Sequence, residues 1–181
     1  MSKTCQIILS GVGGQGLVSS GTILGESATI YEDKNATLVT SYGVETRGTF
    51  TKSDVIISDG DISYPEVSKP DIVLALAQVA YDKYVSELDE DSILVYDCSL
   101  IKDTKESKGK QFGYPINDIA LELGNVAVAN VIAVGIIIQK TGILKKESII
   151  EAIKDRFASK PKVIDLNIEA LERGIKIGME A

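Results

Sequence analysis

The chain has 181 residues, 44% of them hydrophobic, which predicts one globular domain over residues 1–181. Its 26 acidic and 19 basic side chains give a formal net charge of −7, which argues against a nucleic-acid partner. The sequence has no histidine, so histidine general bases, Ser-His-Asp triads and histidine-ligated metals are excluded, and its two cysteines are too few for an iron–sulfur cluster.

The first predicted unit surrounds a glycine-rich segment. An apolar run at residues 5–10 leads into Gly11-Val12-Gly13-Gly14-Gln15-Gly16, and helix-compatible residues follow over 15–31. This order predicts a strand, a tight turn and a helix N-terminus. Glycine lets a ligand or another backbone come close, and the N–H groups of a helix start favour an anion. The segment is therefore either a phosphate cradle or a tightly packed structural turn.

The remaining pattern alternates strands and helices before becoming helical. It predicts an α/β fold with three layers, a mostly parallel sheet, a Rossmann-like first β-loop-α unit and a helical C-terminal third. Gly142 is placed to end the long apolar helix. Strands are predicted at residues 36–41, 49–58, 71–77, 92–96 and 111–114, and further helices at 79–88, 115–123, 125–140, 146–157 and 163–174.

A second glycine cluster follows the predicted second strand and reads Ser41-Tyr42-Gly43-Val44-Glu45-Thr46-Arg47-Gly48. Ligands of open α/β sheets bind outside the carboxyl ends of strands. Arg47 has a planar fork of donors that suits a phosphate or a carboxylate. The alternative is that Arg47 pairs with Glu45, or with a carboxylate of another subunit, and only shapes the loop.

The spacing of Gly11, Gly13 and Gly16 matches the dinucleotide-binding fingerprint G-x-G-x-x-G. An NAD site also requires an acidic residue at the end of the second strand. That strand ends in Thr40-Ser41-Tyr42, whereas Glu32 and Asp33 precede it. The pattern therefore disfavours NAD.

Asn130 is a polar residue within an apolar helix. A buried amide without hydrogen-bond partners costs ~1–3 kcal/mol. We expect Asn130 to bond either to the loop at the sheet edge or across a subunit contact.

Several motifs occur together and in order along the chain: GVGGQG, SYGVETRG, SDVIISD, the YPEV and KPD segment, and GNVAVANVIAVG. On these motifs the sequence resembles the gamma subunit of 2-oxoacid:ferredoxin oxidoreductases over nearly its whole length. Two positions depart from the family pattern, since Thr49 replaces a usual glycine and Val44 a usual proline or alanine. Neither change removes a polar group.

The resemblance implies a role within a larger enzyme. Such complexes decarboxylate a 2-oxoacid on thiamine diphosphate, pass electrons through iron–sulfur clusters to ferredoxin, and release an acyl-coenzyme A. Those cofactors belong to the alpha, beta and delta subunits, so no catalytic residue is expected in this chain. It would contribute coenzyme A binding and subunit contacts. The expected contact residues are Gly11, Gly13, Gly14, Gln15, Gly16, Ser41, Tyr42, Gly43, Glu45, Arg47, Gly48 and Asn130.

Two alternatives stay open: a purely structural docking subunit of a pyruvate or branched-chain 2-oxoacid complex, and an independent dinucleotide-binding enzyme. A short, separate gamma subunit favours 2-oxoglutarate as the 2-oxoacid. The absence of a visible signal peptide and the low cysteine content indicate a cytoplasmic protein. The longest apolar stretch, residues 126–138, is too short to cross a bilayer, so no membrane partner is expected.

Overall fold

The structure, a computed structural model, describes residues 3–42 and 49–180. Within them, one sheet has the strand order β2-β3-β1-β4-β5-β6. The strands are β1 (Thr4–Val12), β2 (Asn35–Tyr42), β3 (Phe50–Ser58), β4 (Ile72–Ala75), β5 (Ile93–Asp97) and β6 (Lys110–Tyr114). The helices are α1 (Leu17–Tyr31), α2 (Gln78–Tyr84), α3 (Ile116–Glu122), α4 (Ala129–Thr141), α5 (Lys146–Arg156) and α6 (Pro161–Gly178), and a 3₁₀ turn (Val126–Val128) precedes α4.

Five strands of the sheet run in one direction and β3 runs against them. β1, β4, β5 and β6 pair in parallel, whereas β3 pairs antiparallel with both β1 and β2. The predicted α/β fold with a mostly parallel sheet is confirmed. The reversal of β3 follows from chain length, because residues 43–49 are too few for the crossover that a parallel neighbour needs.

The sheet carries helices on both faces, as the predicted three layers require. Alternate residues of a strand point to opposite faces. Ile7 and Leu9 of β1 therefore join the larger core with α1 and α4, whereas Ile8 joins the smaller core with α2. Cys5 is buried in the larger core, where burial raises the pKa of its thiol to about 12. It serves as a small apolar side chain.

The C-terminal third is helical, as predicted, and α4 and α6 pack backbone to backbone. A Cβ atom added at Gly135 would lie under 3.0 Å from the carbonyl oxygen of Leu171, and one at Gly174 under 3.0 Å from that of Ile132. The two glycines thus set the distance between the helices. Gly142, with φ of 60°, ends α4 in the left-handed conformation, which confirms its predicted role.

No helix in the described part of the chain is long and apolar enough to span a membrane.

Candidate functional site

The glycine segment forms a tight connection between β1 and α1. Gly14 and Gly16 have φ of 92° and 75°, and Gly16 is the residue that caps the start of α1. The side chain of Gln15 closes the turn, because its Oε1 accepts a hydrogen bond from the Val12 amide at 2.8 Å. Its Nε2 donates to the Leu76 carbonyl at 2.8 Å. Gln15 therefore ties the loop to the end of β4.

The N-terminus of α1 is open to an anion. Its cap residue is a glycine that makes no side-chain hydrogen bond, and the first turn has no acidic residue. The first N–H groups of a helix have no partner within the helix, and the helix dipole is positive at this end. This geometry is compatible with a phosphate or carboxylate next to Gly16.

Asn130 of α4 holds the loop from the opposite side. Its Nδ2 donates to the Gly16 carbonyl at 3.2 Å, and the backbone carbonyl of Asn130 accepts a hydrogen bond from Ser20 Oγ at 3.3 Å. Of the two partners predicted for this amide, the structure shows the loop at the sheet edge. Asn130 is 7% exposed, so the bond to Gly16 gives the buried side-chain amide a partner.

A pocket of about 350 Å³ lies at the carboxyl ends of β1, β4 and β5. Its volume is at the lower end of the range for small-molecule sites. Its lining combines the glycine loop and the polar side chains of Asp97 and Asn117 with apolar side chains. The lining residues are Gly14, Gln15, Gly16, Leu76, Asp97, Leu100, Asn117, Val126, Ala127 and Ala129.

Asp97 is the acidic residue of this pocket, and the sequence analysis did not select it. It is 1% exposed, and its two carboxylate oxygens each accept a backbone N–H at 3.0 Å, from Ser99 and Asn117. Burial raises the pKa of the carboxyl above its ordinary value, although these hydrogen bonds oppose the rise. Asp97 thus joins the end of β5 to the first turn of α3. Its signal was an acidic residue directly after the apolar run of β5.

The second predicted cluster begins at the carboxyl end of β2, which lies on the same side of the molecule as the glycine loop. Tyr42 pairs with Thr51, which pairs with Gly11, so the three residues lie in a row across the sheet. The Gly13 amide donates to the Thr49 carbonyl at 3.3 Å. The residues that precede and follow 43–48 in the chain therefore lie close to the glycine loop. Ser41 and Tyr42 end β2 and are exposed, but they do not line the pocket. Gly43, Glu45, Arg47 and Gly48 lie outside the described residues.

The two neighbours of β1 argue against dinucleotide binding. In dinucleotide-binding folds, a parallel strand beside β1 carries the acidic residue for the ribose at its carboxyl end. Here β3 is antiparallel to β1 and begins at this edge with Phe50, and the parallel neighbour β4 ends with Ala75, which the apolar Leu76 follows. Glu32 is engaged elsewhere, because its carboxylate accepts the Lys145 amide at 2.6 Å and pairs with Lys34 at 3.0 Å. Among residues 3–42 and 49–180, no three acidic or cysteine side chains group as metal ligands.

The comparisons with known proteins agree with this architecture. Residues 6–177 match the family described as Pyruvate ferredoxin/flavodoxin oxidoreductase. The match covers most of the chain, and the chain belongs to this family.

The relatives that the chain matches are subunits of such enzymes. The 2-oxoglutarate synthase subunit KorC of Methanocaldococcus jannaschii is 39% identical, over 97% of this chain and 94% of its own. The gamma subunit of a keto/oxoacid ferredoxin oxidoreductase from Geobacter sulfurreducens has a TM-score of 0.86 at 35% identity, with 98% and 99% coverage. The ketoisovalerate oxidoreductase subunit VorA of Methanothermobacter marburgensis is 32% identical over 95% of this chain, which spans 36% of VorA. The predicted gamma-subunit resemblance is confirmed, and the chain is part of an oxidoreductase complex.

Proposed function

We propose that this chain serves a 2-oxoglutarate:ferredoxin oxidoreductase and that the pocket at its sheet edge receives part of coenzyme A. One observation carries the coenzyme A proposal. The Gly14–Gly16 turn, which leads into the uncapped start of α1, lines a pocket whose lining also includes apolar side chains. Coenzyme A combines phosphate groups with apolar portions, so it requires both kinds of surface.

Each predicted contact residue has a distinct part in this proposal. Gly14 and Gly16 present backbone to a phosphate, whereas Gln15 and Asn130 hold the loop in shape. Gly11 and Gly13 lie where residues 49–51 approach the loop. Ser41 and Tyr42 lead from β2 into Gly43, Glu45, Arg47 and Gly48, and Arg47 supplies charge to the phosphate. A volume of about 350 Å³ suits a portion of the coenzyme, so the rest would contact a neighbouring subunit.

The redox chemistry in this proposal belongs to other subunits. Thiamine diphosphate supplies the decarboxylation chemistry, iron–sulfur clusters carry the electrons, and ferredoxin accepts them. The alpha and beta subunits, with delta where present, are the proposed partners of this chain, which positions coenzyme A and contacts them. Two free cysteines and no described disulfide fit the reducing cytoplasm, where we place the complex.

A second candidate function is structural docking without coenzyme A. Exposed apolar side chains near the pocket support it, since Leu100 and Val126 line the pocket and are 46% and 49% exposed. Leu121 of α3 is also 56% exposed. A partner subunit could cover these side chains. Protection of the glycine-loop amides from hydrogen exchange on adding coenzyme A to the complex would separate the two functions.

Mild purification of this chain from its own cells should recover larger partners that contain thiamine diphosphate and iron. We expect the purified complex to reduce ferredoxin with a higher kcat/KM for 2-oxoglutarate than for pyruvate or branched-chain 2-oxoacids. Mass spectrometry of the partners and assays with each 2-oxoacid provide the measurement. A preference for pyruvate would reject 2-oxoglutarate and leave the coenzyme A site untouched.

Ala127→Leu should raise the KM for coenzyme A about tenfold, a loss of about 1.4 kcal/mol in binding. Ala127 is exposed and lines the pocket, so the larger side chain fills ligand space without entering the core. KM is measured in the assembled complex, with KM for the 2-oxoacid as an internal reference. Ala158→Leu, on an exposed alanine after α5, is the matched control. Equal KM values for the two variants would contradict the site.

Arg47→Ala should raise the KM for coenzyme A by at least tenfold, because a hydrogen bond to a charged group contributes ~1.5–3 kcal/mol. Steady-state kinetics of the assembled complex check it, and Arg156→Ala at the end of α5 is the control. Intact assembly with an unchanged KM would remove Arg47 from the ligand site.

A further inference from the structure

The outer side of β2 is an unpaired sheet edge. Within the part of the chain that the structure describes, β2 is the outermost strand of the sheet and pairs only with β3. Among residues 3–42 and 49–180, none hydrogen-bonds to the backbone groups that Asn35–Tyr42 directs away from β3. A row of free N–H and C=O groups is a template on which another strand can pair.

The features that normally prevent edge pairing are missing from β2. Its eight residues, NATLVTSY, include no charged residue, proline or glycine, although 25% of the whole chain is charged. The opposite edge differs, because β6 has five residues, begins with Lys110 and contains Gly113. Charges, shortness and breaks in a strand are devices that block edge-to-edge association. The β2 edge lacks them.

Exposed apolar side chains lie close to this edge. Tyr42 ends β2 and is 70% exposed. Tyr64 is 63% exposed, and the next residue, Pro65, accepts a hydrogen bond from Thr37 of β2 at 3.2 Å. Tyrosine is enriched where protein surfaces meet. The edge and its surroundings therefore have the composition of a protein interface.

We propose that two copies of this chain pair their β2 strands antiparallel across a two-fold axis, which joins two six-stranded sheets into one. The occupant is a second copy because an uncharged strand meets its own copy without like charges opposing each other. β2 contributes no lining residue to the pocket, although Ser41 and Tyr42 at its end belong to the proposed coenzyme A contacts. The test below measures mass and hydrogen exchange rather than the KM for coenzyme A, so the failure of one proposal is distinguishable from the failure of the other.

Symmetry restricts the register of this pairing. A two-fold axis that relates two antiparallel strands of one sheet is perpendicular to the sheet. Two residues that lie directly opposite each other then face the same side of it. Because side chains alternate along a strand, the numbers of two such residues are both odd or both even, and their sum is even. Leu38 lies beside Gly21 of α1, which places the even-numbered residues of β2 on the α1 side. An axis at Val39 pairs Tyr42 with Ala36. The small alanine side chain leaves room for the exposed tyrosine ring. It also pairs Thr37 with Ser41, whose hydroxyls can hydrogen-bond. The geometry favours this register.

The first measurement is the mass of the intact chain by light scattering over a range of concentrations. We expect twice the chain mass of 19.4 kDa. Val39→Lys and Val39→Glu should each give a monomer, because each places like charges face to face at the axis. Mixing the two variants should restore the dimer, since Lys and Glu then oppose each other. Val39→Thr is the neutral, β-branched control and should remain a dimer.

Hydrogen exchange supplies a second readout that needs no variant. The β2 amides of the unmodified chain should exchange more slowly as its concentration rises. A monomer at all concentrations with fast β2 exchange would overturn the proposal, as would a dimer that persists in both charged variants. Protection of β2 that arises only when the other subunits bind would also overturn it, and would assign the edge to a strand of another subunit.

Discussion

Replacing Gly174 by alanine is expected to lower the free energy of unfolding by about 3 kcal/mol, the upper part of the range for overpacked cores. The added methyl group would lie under 3.0 Å from the Ile132 carbonyl, and that neighbour is backbone of α4 and cannot rotate away. The two helices must separate or shift to admit it. In a chain of this length, the change corresponds to a decrease in Tm of roughly 6–12 °C. Thermal unfolding followed by circular dichroism measures it.

The matched control for this substitution is Gly25→Ala. Gly25 lies within α1, and a Cβ atom placed there meets nothing within 4 Å. Alanine in a helix interior is more stable than glycine by about 0.5–1 kcal/mol. The same chemical change should therefore raise Tm at Gly25 and lower it at Gly174. A lower Tm for Gly25→Ala, or no decrease for Gly174→Ala, would contradict this account of packing.

Gly16→Ala is expected to cost about 2–5 kcal/mol of stability and to disrupt the glycine loop. A left-handed backbone costs a non-glycine residue ~1–2 kcal/mol, and Gly16 has φ of 75°. The new Cβ would also lie 2.5 Å from Asn130 Nδ2 and displace the amide. Losing that partner adds ~1–3 kcal/mol. Urea unfolding measures the stability, and the KM for coenzyme A in the assembled complex measures the effect on the site.

Alanine substitutions at two neighbouring glycines separate the cost of backbone strain from the cost of losing the contact with Asn130. Gly14→Ala should cost only the backbone strain, about 1–2 kcal/mol, because Gly14 has φ of 92° but open space around its Cβ position. Gly13→Ala should be nearly neutral, since Gly13 has neither a left-handed φ nor a neighbour within 4 Å of that position. Equal costs at Gly14 and Gly16 would show that contact with Asn130 contributes nothing.

Local signals in the sequence account for the parts of the fold that could be predicted. The first β-loop-α unit follows from an apolar run, clustered glycines and a helix-compatible stretch. Gly142 ends α4 because glycine adopts a left-handed φ without strain. Both features depend on neighbouring residues, so the sequence is sufficient to predict them.

The direction of β3 and the walls of the pocket depend on distant contacts. The number of residues between Tyr42 and Phe50 was the available signal for an antiparallel strand, although periodicity alone says nothing about direction. Leu76 and Val126 meet in the pocket because the sheet and the helices bring them together, and apolar residues carry no mark of a ligand site.

The polar residues selected from the sequence form a middle case. Gln15 lines the pocket and Asn130 contacts the loop beside it, but the partners that the structure shows for both are within the protein. Gln15 uses both ends of its amide to close the turn, and Asn130 donates to the Gly16 carbonyl. Sequence alone cannot separate a residue that touches a ligand from one that holds the loop, because both require a polar group at the same place.

The reversal of β3 also affects how this fold can vary. The connection between β2 and β3 begins and ends at the same edge as the turns that follow β1, β4 and β5. The ladder contacts of β2 with β3 are complete from Asn35 to Tyr42 without it. Insertions or exchanges within residues 43–48 can therefore leave the register of every strand unchanged. We expect a chimaera that exchanges this segment between relatives to keep the scaffold unaltered, so that its KM for coenzyme A reports the contribution of the segment alone.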